Sequence, residues 1–124
     1  MAGNIQVKIC DDAAQVAIEA AAMFDELIRA TPESVIGLAT GSTPEATYAE
    51  MARRHREDGL SLAGVSSFNL DEYWGLGGDH DQSYRYFMHE NLFKHINVPP
   101  QNVYVPSGTT DNYAAFCAWY EQRI

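Results

Sequence analysis

The chain has 124 residues, 46% hydrophobic and 20% charged, which suits one soluble domain with a modest core. Its formal net charge of −9 excludes nucleic acid or an anionic membrane as the main partner, because both need clustered Lys and Arg. No apolar run reaches membrane-spanning length, and MAGNIQVKICDD lacks a basic segment followed by an apolar one, so the cytoplasm is the expected compartment.

Ile5 to Ile9 alternates apolar and polar residues, which predicts a short strand. Asp11 or Asp12 then caps a helix whose apolar face is Val16, Ala20, Met23, Phe24 and Leu27. Pro32 ends this helix by Thr31. Ser34 to Ala39, SVIGLA, is a compact apolar run of the kind that forms a buried parallel strand. TGSTP follows, and a helix is predicted from about Pro44 to Asp58, with Gly59 as its stop.

Val65 to Leu70 is the next strand, and the glycine-rich DEYWGLGGDHD is a loop. A helix opens near Ser83 and runs to about His95, with Tyr84, Phe87, Met88, Leu92, Phe93 and Ile96 as its packing positions. Asn102 to Val105 reads as a short strand, and Asp111 as the cap of a last helix from Asn112 to Ile124. The order β-α-β-α-β-α-β-α implies an α/β domain over residues 1–124, with a parallel sheet and helices on both faces. A parallel sheet of about four strands is small against a mean of about five to six. The chain also stops inside a helix, so the expectation is an incomplete chain or one that needs a partner.

Cys10 and Cys117 form no CxxC pair and have no zinc-like spacing to histidine, so they are expected as reduced, partly buried thiols. Asp79, His80 and Asp81 are too short a run to converge on a metal, and no metal or cofactor is expected. Arg85, His89, Lys94 and His95 read as a solvated face.

Two segments carry chemistry. In IGLATGSTPEATY a buried strand feeds a Gly-Ser-Thr turn that opens directly into a helix. Unpaired N–H groups and the helix dipole favour an anion there, so Gly41, Ser42 and Thr43 are the candidate phosphate binders, with Thr40 supporting. Gly41 allows close backbone approach. The segment is neither a Walker loop nor GxGxxG, which removes the best support for a nucleotide. The plainer alternative is an ordinary helix capped by Ser42 or Thr43. In SFNLDEYWGL, Asp71 and Glu72 follow the carboxyl end of a strand, the end where open α/β sheets bind ligands. TGSTP leaves its strand at the same end. A carboxylate, Asp71, facing a bound phosphate suits proton transfer on a sugar phosphate, with Glu72 as a supporting group.

GLATGSTPEATY at 37–48, VSSFNLDEYWGL at 65–76, SYRYFMHENLFKHI at 83–96 and YEQRI at 120–124 together resemble the glucosamine-6-phosphate deaminase (isomerase) family. The order and spacing match across nearly the whole chain. The related 6-phosphogluconolactonases are similar at the Gly-Ser-Thr-Pro loop but usually carry Asp-Glu-Arg where this chain has Asp71, Glu72 and Tyr73. The resemblance implies a modified Rossmann-like fold, of which this chain is the N-terminal part. It also implies conversion of glucosamine 6-phosphate to fructose 6-phosphate and ammonia without metal or nucleotide. Asp71 would then move a proton between C2 and C1 of the opened sugar. Family enzymes are roughly twice as long, and their second half holds a Gly-His-Ile-Ala-Phe-Asn-Glu segment and the cations that grip the phosphate. The implied partners are a small sugar phosphate and either the missing C-terminal half or a second copy of the chain. Two other readings stand beside this one: a non-catalytic sugar-phosphate-binding or assembly module, and a lactonase-like hydrolase.

Overall fold

The structure is a computed structural model that describes residues 3–124. Its elements are α1 (Ala13–Ala30), β1 (Val35–Gly37), α2 (Glu45–Asp58), β2 (Ser66–Phe68), α3 (Tyr84–Asn91), β3 (Val103–Tyr104) and α4 (Tyr113–Arg123). Short 3₁₀ turns lie at Phe93–His95 and Pro100–Asn102. The three strands pair in parallel in the order β1-β2-β3, as the alternation of strands and helices predicts.

The predicted Ile5–Ile9 strand does not form. Ile5, Val7 and Ile9 are exposed at 90%, 81% and 92%, and the run makes no ladder. A strand needs a neighbour for its backbone groups, and among the described residues this one has none. The sheet therefore has three strands rather than four.

Register sorts the side chains by face. Ile36, Ser67 and Val103 share one face, while Gly37, Phe68 and Tyr104 share the other. The chain steps from β1 to β2 to β3 in one direction, so right-handed crossovers put α2 and α3 on the same side. Ile36, Leu38 and Val65 accordingly pack with Tyr48 and Met51 of α2, Met88 of α3 with Leu92, and Ala21 and Ile28 of α1. The second face carries α4. Phe68 stacks on Tyr104 at 4.5 Å and meets Tyr120 edge-on at 5.9 Å. That cover reaches β2 and β3 only; Val35 on β1 remains 61% exposed.

The face that α1 buries differs from the expected one. Ala17, Ala21 and Ile28 are buried, whereas Val16, Met23 and Leu27 are exposed. The helix carries two apolar stripes one residue apart, and ion pairing selects between them. Asp25 lies in the buried stripe, where Arg54 of α2 donates to it at 3.0 Å and Arg29 pairs with it from the next turn. Arg54 also holds Glu50 at 2.9 Å. Small Ala17 and Ala21 permit the close approach of α1 to α2.

Three caps are as foreseen in kind. Asp12 rather than Asp11 caps α1, Ser83 caps α3, and left-handed Gly59 (φ 71°) closes α2. Asn112, not Asp111, caps α4 through a 3.1 Å bond from the Ala115 N–H. The third predicted helix is shorter, ending at Asn91 before the 3₁₀ turn. Cys10 is half-buried and Cys117 is exposed, so only the first fits the expected burial.

The Asp25–Arg54–Glu50 cluster makes stability acid-sensitive. Burial works to raise the Asp25 pKa, but hydrogen bonds from Arg54 and Arg29 outweigh it and hold the group below its usual range. Arg53 and then Arg54 pull Glu50 down to about 2 against the opposing effect of burial. A folded value below the unfolded one contributes stability that is full above the unfolded value and lost as pH falls through the folded value. The thermal midpoint should therefore decline as pH falls from 4.5 through the Glu50 value of about 2, with Asp25 adding to the decline below its ordinary carboxylate range. Glu50→Gln should flatten part of that decline in a series of melting curves; an unchanged slope would remove the cluster as its cause.

Candidate active site

β1 and β2 end side by side, and their carboxyl ends are fixed by side chains from below. Asn69, 1% exposed, donates from Nδ2 to the Leu38 carbonyl at 2.9 Å. Its backbone N–H donates to the Tyr104 carbonyl at 2.9 Å, and its own carbonyl accepts from the Tyr120 hydroxyl at 2.6 Å. The Tyr48 hydroxyl of α2 donates to the Ala39 carbonyl. Burial pushes the Tyr48 phenol up to about 12, so it stays a donor at neutral pH.

From those fixed points the chain turns through 40–44 into α2. Gly41 has φ 109°, a backbone shape that L side chains rarely adopt. Pro44 stands at the N-cap of α2 with no side-chain hydrogen bond. Asp12, Ser83 and Asn112 do cap the other three helices, so the expected Ser42 or Thr43 cap is not realised. The first turn of α2 thus has no side-chain acceptor, and the Glu45 N–H reaches the Ser42 carbonyl at 3.4 Å. Gly41, Ser42 and Thr43 are all exposed.

Asp71 follows β2 and is exposed. With Leu38, Ala39, Thr40, Leu70 and Tyr84 it lines an open crevice of about 640 Å³ at the strand ends. That volume lies within the range of ligand pockets, about 300–1,000 Å³. The structure thus unites Thr40 and Asp71. Gly41 and Ser42 sit beyond the lining residues, and Thr43 borders a separate groove between α1 and α2. Glu72 points away from the crevice, as consecutive residues of extended chain do. Its Oε1 accepts from the Tyr84 N–H at 2.8 Å and the Tyr73 N–H at 2.9 Å, and its Oε2 from the Arg85 N–H at 3.1 Å.

Tyr84 was expected as a packing position and lies instead in the crevice. Its ring sits 4.7 Å from that of Tyr73. A hydrogen bond with Tyr73 raises its phenol pKa, aided by burial and by the charges of Tyr73 and Asp71, while a hydrogen bond with Thr40 works the other way. Gly108 is a second residue that pattern reasoning passed over. A side chain there would meet the Tyr73 and Leu76 carbonyls at 2.4 Å, and the Gly108 carbonyl accepts from the Gly75 N–H at 2.7 Å. The one advance signal for Asn69 is an amide between Phe68 and Leu70 in the predicted strand Val65–Leu70.

Among the described residues no group of three or more His, Cys, Asp or Glu side chains is arranged to hold a metal ion. His80 and Asp81 are adjacent at 3.6 Å, on the surface.

Residues 10–124 match the family model described as glucosamine-6-phosphate isomerases/6-phosphogluconolactonase. The chain is 47% identical to glucosamine-6-phosphate deaminase 1 of Giardia intestinalis, over 98% of this chain and 44% of that one. It is 51% identical to glucosamine-6-phosphate deaminase of Clostridium perfringens strain 13, over 85% of this chain and 43% of that one. The solved structure of a monomeric glucosamine-6-phosphate deaminase superposes with a TM-score of 0.93 at 37% identity, over 96% of this chain and 49% of that one. The chain thus spans about half the length of the relatives it matches. With motifs, fold and crevice in agreement, the chain belongs to the glucosamine-6-phosphate isomerase/6-phosphogluconolactonase family.

Proposed function

We propose that this chain supplies the proton-transfer and phosphate-loop half of an amino-sugar phosphate deaminase site. The reaction is glucosamine 6-phosphate to fructose 6-phosphate and ammonia. One observation carries the reading: Asp71 and Thr40, at the ends of neighbouring parallel strands, line one crevice beside the uncapped start of α2. Backbone N–H groups at that start suit a phosphate, and they can serve in an acidic protein because they do not depend on net charge.

In this reading the substrate phosphate meets Gly41, Ser42 and Thr43, and the sugar carbons extend towards Asp71. The Asp71 carboxylate takes the C2 proton of the ring-opened sugar and returns it to C1. In between, a proton of the substrate's own ammonium passes to the C1 oxygen to give an enolamine; protonation at C1 then leaves the double bond between C2 and nitrogen, and water adds at C2 as ammonia leaves. A positioned base of this type contributes about 10²–10⁴-fold in rate. Tyr73, its ring tilted against that of Tyr84, fills the place where the lactonases usually carry arginine, which favours the deaminase reading over the hydrolase. The reaction belongs to cytoplasmic breakdown of amino sugars, including N-acetylglucosamine. The remaining half of the site, with its cations and ring-opening group, comes from residues equivalent to the relatives' second half. Exposed Val35, Ile5, Val7 and Ile9 offer apolar surface for that half.

The 124 residues alone should release ammonia from glucosamine 6-phosphate at a negligible rate. Mixing with the separately produced second half of the Giardia relative should raise the rate, and Asp71→Asn should lower the restored rate by about 10²-fold or more. Equal turnover with Asn at position 71 would sink the base assignment, and robust turnover by the chain alone would sink the divided site.

Fructose 6-phosphate should raise the melting temperature of the chain in a concentration-dependent way, by linkage of binding to folding. Gly41→Val forces a β-branched residue into φ 109° and should abolish that rise. A full rise in the variant would place the phosphate elsewhere.

A further inference from the structure

The carboxylate next to the proposed base has a different task. Glu72 lies one residue from Asp71, yet it lines none of the crevice that holds Thr40, Asp71 and Tyr84. Its carboxylate accepts three backbone N–H groups, from Tyr73, Tyr84 and Arg85. Two of these belong to the first turn of α3, 12 and 13 residues further along the chain. Ser83 already caps α3 through the Tyr86 N–H at 3.0 Å. Glu72 therefore completes the cap from outside the helix and ties the start of α3 to the end of β2. The intervening loop is held a second time where the Tyr73–Leu76 turn packs on Gly108.

We propose that Glu72 is a positioning residue: by clamping the first turn of α3 to the end of β2, it sets the Tyr84 ring beside Asp71 and Thr40 and so forms one wall of the sugar-phosphate crevice. This rests on the functional reading above for the identity of the ligand, but the clamp itself needs no ligand. The three accepted bonds are of the charge-assisted kind, stronger than neutral ones. They also explain the choice of residue. Glutamine keeps an oxygen for the Tyr73 and Tyr84 N–H groups but turns an NH₂ group towards the Arg85 N–H, where two donors face each other. Alanine keeps none of the three.

The test uses the full 124-residue chain, labelled for amide hydrogen exchange by NMR, as wild type, Glu72→Gln and Glu72→Ala. Exchange at Tyr84 and Arg85 should quicken about tenfold or more in Glu72→Ala, beyond any change in residues of α1 and α2. Glu72→Gln should keep protection at Tyr84 and lose it at Arg85. A phenol titration by ultraviolet absorbance, each protein measured against its own Tyr84→Phe partner, should show the Tyr84 transition moving towards that of free tyrosine in Glu72→Ala. Fructose 6-phosphate affinity should fall about tenfold in the same variant. Unchanged exchange at Tyr84 and Arg85 would overturn the clamp. Faster exchange with an unmoved Tyr84 titration would overturn the positioning role. Absence of fructose 6-phosphate binding by the wild type would instead overturn the functional reading, while exchange and titration still decide the clamp.

Discussion

The crevice depends on Asn69. A three-strand parallel sheet has its carboxyl ends free wherever the ladder stops, and those ends must be fixed if loops are to leave them in defined directions. Asn69 fixes all three at once: its side-chain amide reaches β1 through the Leu38 carbonyl, its N–H reaches β3 through Tyr104, and its carbonyl takes the Tyr120 hydroxyl of α4. The Tyr120 hydroxyl lies 2.9 Å from the Tyr104 carbonyl as well. Its Nδ2 bond to the Leu38 carbonyl is the one bond its buried side-chain amide makes, since Oδ1 has no partner, and losing it would cost about 1–3 kcal/mol. Asp71 leaves the sheet two residues after this junction and Thr40 two residues after the Leu38 carbonyl. Their proximity follows from the parallel pairing of β1 and β2, pinned at its end by the side chain and backbone of Asn69.

Charge and backbone divide the remaining work. The chain is strongly acidic, and its guanidinium groups are largely committed. Arg53 and Arg54 serve Glu50 and Asp25 between α1 and α2, and Arg85 donates to the Val105 carbonyl at 3.2 Å. Within the crevice lining there is no Lys or Arg among the described residues. An anion at this site is therefore met by backbone N–H groups and hydroxyls, whose dipoles act at short range and survive a negative net charge. Such donors orient a phosphate well but neutralise it poorly.

What the sequence disclosed and what it withheld follow from the range of each signal. Gly59, Pro32 and TGSTP act within a few residues, so strand and helix order could be read with β1, α2 and β2 near their observed bounds. Asp71 and Thr40 could be paired because parallel strands send their carboxyl ends to one side. The Ile5–Ile9 run shows the limit of alternation, which reports the capacity to pair and not the presence of a neighbour. On α1 periodicity pointed to the Val16–Leu27 stripe, and the burial of the neighbouring one depended on Arg54, 29 residues from Asp25 in the chain. Tyr84 was misassigned for a similar reason. Helical spacing places it with Met88 on a packing face, but the first turn of α3 projects past the core into the loop that Glu72 ties down. Glu72 itself looked like half of a DE pair because its partners lie more than ten residues ahead.

The uncovered side of β1 bears on how such a site can be shared. Val35 and Gly37 present an open face, and among the described residues Ile5, Val7 and Ile9 find no strand partner, yet the turn through residues 40–44 does not rely on that side. The carbonyls that anchor it, those of Leu38 and Ala39, are held by Asn69 and Tyr48 on the face covered by α1, α2 and α3. Tyr48 is 2% exposed and part of the core, so the loop inherits the rigidity of packed side chains. The geometry of the loop is thus independent of whatever covers β1. A surface packed on that face would leave the turn through residues 40–44 as it stands, at little ordering cost there.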